Sequence, residues 1–247
     1  MNAMSPTKNI QSKLLCPQHN TRMIVMFGRE SCPICAVEYV KASNHMHTKQ
    51  VNHAIRQKHF AGAILPKRHE NSGFRNYMTI SSGQKLALKQ TTDYAKEIIG
   101  GSIANLVMVG STGTGKTHLS CATARTLLAK GKYARYITSE HMAQKIMKSW
   151  NKDNKDQSEQ SVIAEFTQYD LLILDEYGLH DRDKRLELVH KVLYARYDEG
   201  KATMLISNMT LEQLKIDLGD RLWSRFQHGG LTIVECNWND ARKGKAS

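Results

Sequence analysis

Residues 110–117 read GSTGTGKT. Gly, four residues, then Gly-Lys-Thr is the spacing of a backbone loop that wraps phosphate oxygens, and no other stretch restricts the fold as much. Such a loop works between a buried strand and the N-terminus of a helix, where free N–H groups and the helix dipole converge on one anion. Both flanks are present. IANLVMVG (103–110) is an apolar run entering the loop. KTHLSCATARTLLAKGK leaves it as a helix with apolar residues at Leu119, Ala122, Leu127 and Leu128 and a stop at Gly131. Gly110, Ser111, Thr112, Gly113, Thr114, Gly115, Lys116 and Thr117 therefore form the expected cradle for a nucleoside triphosphate. The N–H groups of Gly113–Thr117 face phosphate oxygens, Lys116 reaches the β and γ phosphates, and the Thr117 hydroxyl holds Mg²⁺.

Further strands follow. YARYIT (133–138) reads as one, and YDLLILDEYG contains four consecutive apolar residues, Leu171–Leu174, as expected of a strand buried on both faces. Asp175 and Glu176 stand at its carboxyl end, where ligands bind in open α/β sheets. Asp175 is expected to hold Mg²⁺ through water and Glu176 to polarise the attacking water. KATMLISN (201–208) is another strand, and Asn208 at its tip is expected to orient that water; its other reading is a turn residue before the helix MTLEQLKIDLG. Arg221 and Arg225 are four apart and share one helix face. That arrangement suits an arginine finger presented to a neighbouring subunit's γ-phosphate. It equally suits a helix salt-bridged to Asp217 and Asp220. The fold class read from this order is α/β, a parallel sheet flanked by helices.

The first seventy residues are chemically different. Three of the five cysteines fall between residues 16 and 35, as Cys16-x-x-His19 and, after twelve residues, Cys32-x-x-Cys35. Two such knuckles around a short hairpin place three thiolates and one imidazole around a tetrahedral ion, a set that suits structural Zn²⁺. RMIVMFG reads as a strand, with Gly28 available for the turn. Residues 36–60 lack Pro and Gly and read as helix, with a sparse apolar stripe of Val37, Val40, Val51, Ala54 and Ile55. His45, His47, His53 and His59 mix both faces of it and read as solvated rather than as ligands. AGAILPKRHENSG gathers Gly, Pro and polar residues and reads as a linker. The expected division is 1–72, a zinc-knuckle and helical partner-binding domain, and 73–247, the nucleotide domain.

Charge supplies the partner class. The chain of 247 residues carries a net +12. Residues 1–75 hold 11 Lys and Arg against 3 Asp and Glu, a net of +8. Clustered cations of this kind release phosphate counterions on binding a polyanion, so nucleic acid is the expected partner. No apolar run approaches the ~20 residues that span a bilayer, and the first fifteen residues lack a secretory pattern. No membrane partner and a cytoplasmic location are expected.

The ordered set GSTGTGKT, LLILDE, LISN, LGDRLWSRF resembles the AAA+ ATPases of the initiator and helicase-loader clade, and in arrangement the bacterial DnaC/DnaI-type loaders, with IstB-like transposition ATPases beside them. GFRNYM (73–78) resembles the loader segment that leads into the nucleotide pocket, SRFQHGGLTIVE resembles the arginine-finger box of initiators, and NWNDARKGK a loader C-terminus. The likeness spans about residues 60–247. It implies an AAA+ P-loop ATPase dependent on ATP and Mg²⁺, preceded by a DnaI-like zinc module. With 39 residues after Asn208, it implies no C-terminal lid domain and weak turnover until subunits assemble. It favours Arg225 over Arg221 as the finger. It implies a single-stranded DNA site after the second strand, where Lys145, Lys148 and Trp150 lie. The implied partners are a hexameric replicative DNA helicase, single-stranded DNA and further copies of this chain in an ATP-dependent oligomer. The alternative is a transposition helper that engages duplex DNA and a transposase.

Overall fold

The strand LLILDEY, Leu171–Tyr177, is buried from Leu171 through Asp175 because helices cover both its faces. It is β6 of a computed structural model that describes residues 10–26, 28–151, 157–178 and 183–239. The described chain divides into two compact units between Ile55 and Arg56.

The first unit holds a small antiparallel sheet of β1 (Ile10–Leu15), β2 (Arg22–Met26) and β3 (Arg29–Ser31), in that order. The tight β2–β3 turn uses Gly28 at φ +75°, a conformation open to glycine. Helix α1, Pro33–Ala63, follows. Its Pro33 occupies the first helical position, where a missing N–H costs nothing. Val37, Val40, Val51 and Ile55 are exposed on it.

The second unit begins with the last turns of α1. Helix α2 (Ser82–Ile99) starts at a capping box, in which Ser81 Oγ accepts from the Gln84 N–H at 3.2 Å and Gln84 Oε1 from the Ser81 N–H at 2.9 Å. Then come β4 (Asn105–Gly110), α3 (Lys116–Ala129), β5 (Ala134–Thr138), α4 (Ser139–Lys148), α5 (Glu159–Thr167), β6, α6 (Asp183–Asp198), β7 (Ala202–Ser207), α7 (Leu211–Gln227) and β8 (Leu231–Cys236). The strands form one parallel sheet in the order β5-β6-β7-β4-β8. Alternation along each strand divides the core. Leu106, Met108, Leu171, Ile173, Met204 and Ile206 pack with α2 and α3 on one face. Val107, Val109, Leu172, Leu174 and Leu205 pack with α4 to α7 on the other. The α/β architecture expected from the sequence is the one observed.

Two expectations are corrected. Residues 61–73 are not a free linker. Ala63 is fully buried, and Leu65 packs against the α2/α3 side of the sheet together with Phe60 and Phe74, which flank the segment. His59 is not solvated; it is buried, its ring centroid 3.5 Å from that of Tyr133, and burial lowers its pKa. Helix α7 is broken at Gly219 (φ 71°, ψ 158°), where the sequence reading ended its helix, and Arg221 and Arg225 stay four apart within its second half. Residues 152–156 of the expected DNA segment and 240–247 of the loader-like C-terminus lie outside the described residues.

Candidate functional site: a phosphate loop beside a basic cleft

Gly110 ends β4 with φ +127°, and a Cβ there would lie 2.4 Å from the Cys236 carbonyl oxygen of β8. Only glycine lets the chain leave the sheet at this point. The loop then turns through Gly113 and Gly115, both with positive φ, into α3, so the free N–H groups of the first helical turn face the loop's interior. Lys116 is buried. Its ammonium donates to the Gly110 and Ser111 carbonyls at 2.6 and 2.8 Å, lying back across the loop.

Thr117 Oγ1 donates to Asp175 Oδ2 at 2.9 Å. The same oxygen accepts from the Tyr136 phenol at 2.7 Å, and Asp175 Oδ1 accepts from the Glu176 N–H at 2.8 Å. Burial, reinforced by Asp175, pushes the Tyr136 pKa well above the usual phenol range, so this hydroxyl stays a donor. A hydroxyl and a carboxylate oxygen held together at the phosphate loop are the hard donors that Mg²⁺ takes alongside phosphate and water. Glu176 sits at φ +58°, a left-handed conformation rare for a side-chain-bearing residue. The register between β6 and β7 shifts just there, between Leu174 and Tyr177. The twist leaves Asp175 buried and turns Glu176 out to solvent.

Residues Thr112–His118, Asp175, Glu176, Asn208, Arg68 and His69 line one cavity of about 330 Å³. The structure thus brings together the loop, both acids and Asn208. Asn208 does not cap α7; Thr210 does, accepting from the Gln213 N–H. Sequence reasoning missed Arg68 and His69, which arrive from the segment read as linker. That segment is strapped to α3 through His69 Nδ1 and Ser72 Oγ (3.0 Å), Ser72 Oγ and His118 Nδ1 (3.4 Å), and His118 Nε2 and the Gly73 carbonyl (3.0 Å).

A second, larger cavity of about 690 Å³ shares Arg68, His69, Thr117 and Glu176 with the first. Arg135, His141, Lys145 and Lys148 add positive charge or hydrogen-bond donors to its wall. Lys145 is also paired with Glu165 at 2.5 Å. Trp150 lies outside this lining; its Nε1–H donates to Glu159 at 2.7 Å and Lys184 covers its ring.

Arg225 is remote from the chain's own loop. The Phe226 carbonyl beside it accepts from Asn105 Nδ2 at 3.1 Å, at the first residue of β4, whereas the loop follows the last. Its guanidinium lies 4.7 and 4.9 Å from the Tyr194 and Tyr197 rings, and 3.8 Å from Asp198. The salt-bridge partner is therefore Asp198 of α6 rather than Asp217 or Asp220.

In the first unit Cys16, His19, Cys32 and Cys35 offer ligand atoms all within 4.8 Å of one another. Cys16 and His19 flank the β1–β2 turn, and Cys32 and Cys35 open α1. The Cys16 and Cys35 sulfurs are 3.7 Å apart, and His19 Nδ1 is 3.3–3.8 Å from the three sulfurs. Two sulfurs on one tetrahedral Zn²⁺ at ~2.3 Å would stand ~3.8 Å apart. N–H groups of Gln18 and His19 bring the Cys16 thiol down to about 6. Desolvation and the neighbouring sulfurs push Cys35 up to about 11, a repulsion that a bound cation reverses. His19 Nε2 faces Glu38 at 3.4 Å, the position from which a carboxylate would orient the imidazole if Nδ1 held a metal.

Fold and site together define a P-loop ATPase of the AAA+ class. The model of the IstB-like ATP binding proteins matches residues 46–226, more than half of the chain, and the chain belongs to that family. Among its relatives is the replicative helicase loader DnaC of Escherichia coli strain K12, 28% identical over 187 residues that cover 75% of each chain. The uncharacterized protein YdaV of the same strain is 30% identical over 175 residues, 70% of this chain and 69% of that one. Among solved structures, the DnaC helicase loader superposes with a TM-score of 0.60 at 23% identity, covering 68% of this chain and 99% of that one. Among the described residues no helix is long and apolar enough to cross a membrane.

The steric argument at Gly110 gives a test. Gly110→Ala is expected to cost at least ~2 kcal/mol, because neither the left-handed backbone nor the β8 carbonyl can yield cheaply. Urea unfolding measures the loss, and nucleotide binding should weaken with it. An unchanged unfolding midpoint and unchanged binding would mean that β4 and β8 are not packed this closely.

Proposed function

We propose that this chain is an ATP-dependent loader that binds a hexameric replicative DNA helicase and single-stranded DNA at replication initiation, with ATP binding and hydrolysis as the switch. The observation that carries this reading is the shared wall of the two cavities. Glu176 and Thr117 face both, so a polyanion in the basic cleft and a triphosphate on the loop act on the same residues. Likeness to a protein named as a replicative helicase loader over three quarters of its length supplies the biological direction.

In this reading the loop N–H groups and Lys116 hold the phosphates and neutralise their charge. Thr117 and Asp175 would hold Mg²⁺, which would supply positive charge against the phosphates. Glu176 accepts the proton of the attacking water, and Asn208 orients that water. Lys145 and Lys148 meet a DNA backbone in the cleft. Trp150, 43% exposed, stacks on a base outside it. Arg225 reaches a neighbouring subunit's nucleotide in an ATP-dependent oligomer, because its own loop lies at the other end of the sheet. The cysteine–histidine module holds zinc and contacts the partner. The family match also favours a second reading, an IstB-like transposition helper on duplex DNA with a transposase.

Zinc analysis of the purified protein should give about one ion per chain. Cys32→Ser should lose it and leave residues 10–55 open to proteolysis while ATP binding persists. A metal-free front module that resists protease would remove the zinc assignment.

Co-purification decides between the two functional readings. Glu176→Gln should bind ATP, fail to hydrolyse it, and retain a replicative helicase through washes that release it from wild type. Retention of a transposase, with no helicase, would establish the second reading. Wild-type hydrolysis by Glu176→Gln would show that another group activates the water.

A further inference from the structure

The carbonyl of Thr114, inside the phosphate loop, accepts two side-chain hydrogen bonds from opposite ends of the second unit. The Tyr77 hydroxyl donates to it at 3.2 Å and Trp238 Nε1–H at 3.0 Å. Tyr77 precedes α2 and Trp238 follows β8, so the residues are 161 positions apart in sequence and both donate to this one oxygen. Neither ring lines the phosphate cavity, although Thr114 and Gly115 both do. The donors therefore act from behind the loop.

The geometry points to Tyr77 and Trp238 as positioning residues that fix the Thr114–Gly115 peptide so that its N–H faces the phosphates. The reason is covalent. In a trans peptide the carbonyl and the following N–H point in opposite directions, and the described chain has no cis bonds. Holding the Thr114 oxygen outward aims the Gly115 N–H inward. The anchor is needed because Gly115, at φ +89°, has no Cβ to oppose rotation of that peptide as a unit. A rotated peptide would present a carbonyl oxygen to the phosphates, exchanging a donor for a repelling acceptor.

The packing around both rings fits this role. A Cβ on Gly115 would lie 2.8 Å from Tyr77 Cε2, so the phenol lies against the loop backbone itself. Trp238 lies over Gly83, where a Cβ would meet its ring at 3.3 Å, and so α2 also holds the indole in place. Burial pushes the Tyr77 pKa upward, so its hydroxyl remains a donor. The inference rests on the ATP-binding site of the family and is independent of what the loader reading assigns to DNA or helicase.

Displacement of a fluorescent nucleotide by ATP and by inorganic tripolyphosphate tests it on Trp238→Phe, Tyr77→Phe and the double variant. Each single variant keeps a ring and loses a donor. Each should weaken both competitors by the same factor, about five-fold for one hydrogen bond, and the double variant by more than either single. Turnover at saturating ATP should stay within about two-fold of wild type, since binding is lost in ground and transition states alike. Tyr77→Phe, with the smaller change, carries the test if Trp238→Phe does not fold. Wild-type affinity for tripolyphosphate in the variants would overturn the proposal. So would weakening confined to ATP, which would mean that the rings contact the base.

Discussion

The hydrogen bond from Thr117 to Asp175 is the contact on which the rest of this domain depends. It joins the first turn of α3 to the end of β6, two elements separated by nearly sixty residues, at 2.9 Å. It forms only if β4 and β6 lie in one parallel sheet with a single strand, β7, between them. The all-apolar strands, the division of the core between two faces and the close approach of Gly110 to β8 set up that register. Tyr136 then completes the environment of Asp175 from β5. A carboxylate kept nearly buried among three donors is costly to desolvate, and those donors offset the cost.

That arrangement explains why the phosphate loop, Asp175, Glu176 and Asn208 were legible in the sequence. Each follows an apolar run at or near the end of a strand, and strand ends are where a parallel sheet gathers ligands. The grouping of Cys16, His19, Cys32 and Cys35 was legible through spacing alone, since Cys-x-x-His and Cys-x-x-Cys limit how far donor atoms can separate. Other features depend on pairings distant in sequence. Arg68 and His69 sit in a stretch whose Gly, Pro and charges resemble a linker, and His59 ends a stretch that reads as a solvated helix; only the sheet surface beneath reveals their contacts. Trp238 gives no local sign that its indole reaches residue 114. Arg225 was readable as a paired arginine, but its partner Asp198 and its two tyrosines come from α6, which the sequence reading did not delimit.

The left-handed backbone at Glu176 gives the proposed switch a physical form. A strained residue persists where its surroundings over-determine it, and here the Ser139 hydroxyl donates to the Glu176 carbonyl while Asp175 accepts from its N–H. Ser139 opens α4, the helix that carries Lys145 and Lys148 toward the basic cleft. The residue proposed to activate water is thereby tied to the helix nearest the proposed DNA, through hydrogen bonds on either side of it. This is a contiguous route for coupling the two cavities, and it requires no contact with the first unit.

We propose a nucleotide pocket completed by a neighbour, because Arg225 stands beside Phe226, whose carbonyl meets the first residue of β4, and the loop follows the last, roughly 16 Å along the strand. Mixing two inactive variants measures this directly. Arg225→Ala has an intact loop and no finger; Lys116→Ala has an intact finger and no working loop. Each alone should hydrolyse ATP far more slowly than wild type, since a finger in trans is worth ~10³-fold or more. Combined on single-stranded DNA, they should recover part of the activity wherever an intact finger meets an intact loop. If the two proteins co-assemble and no activity returns, the trans pocket is contradicted, and Arg225 is a structural partner of Asp198.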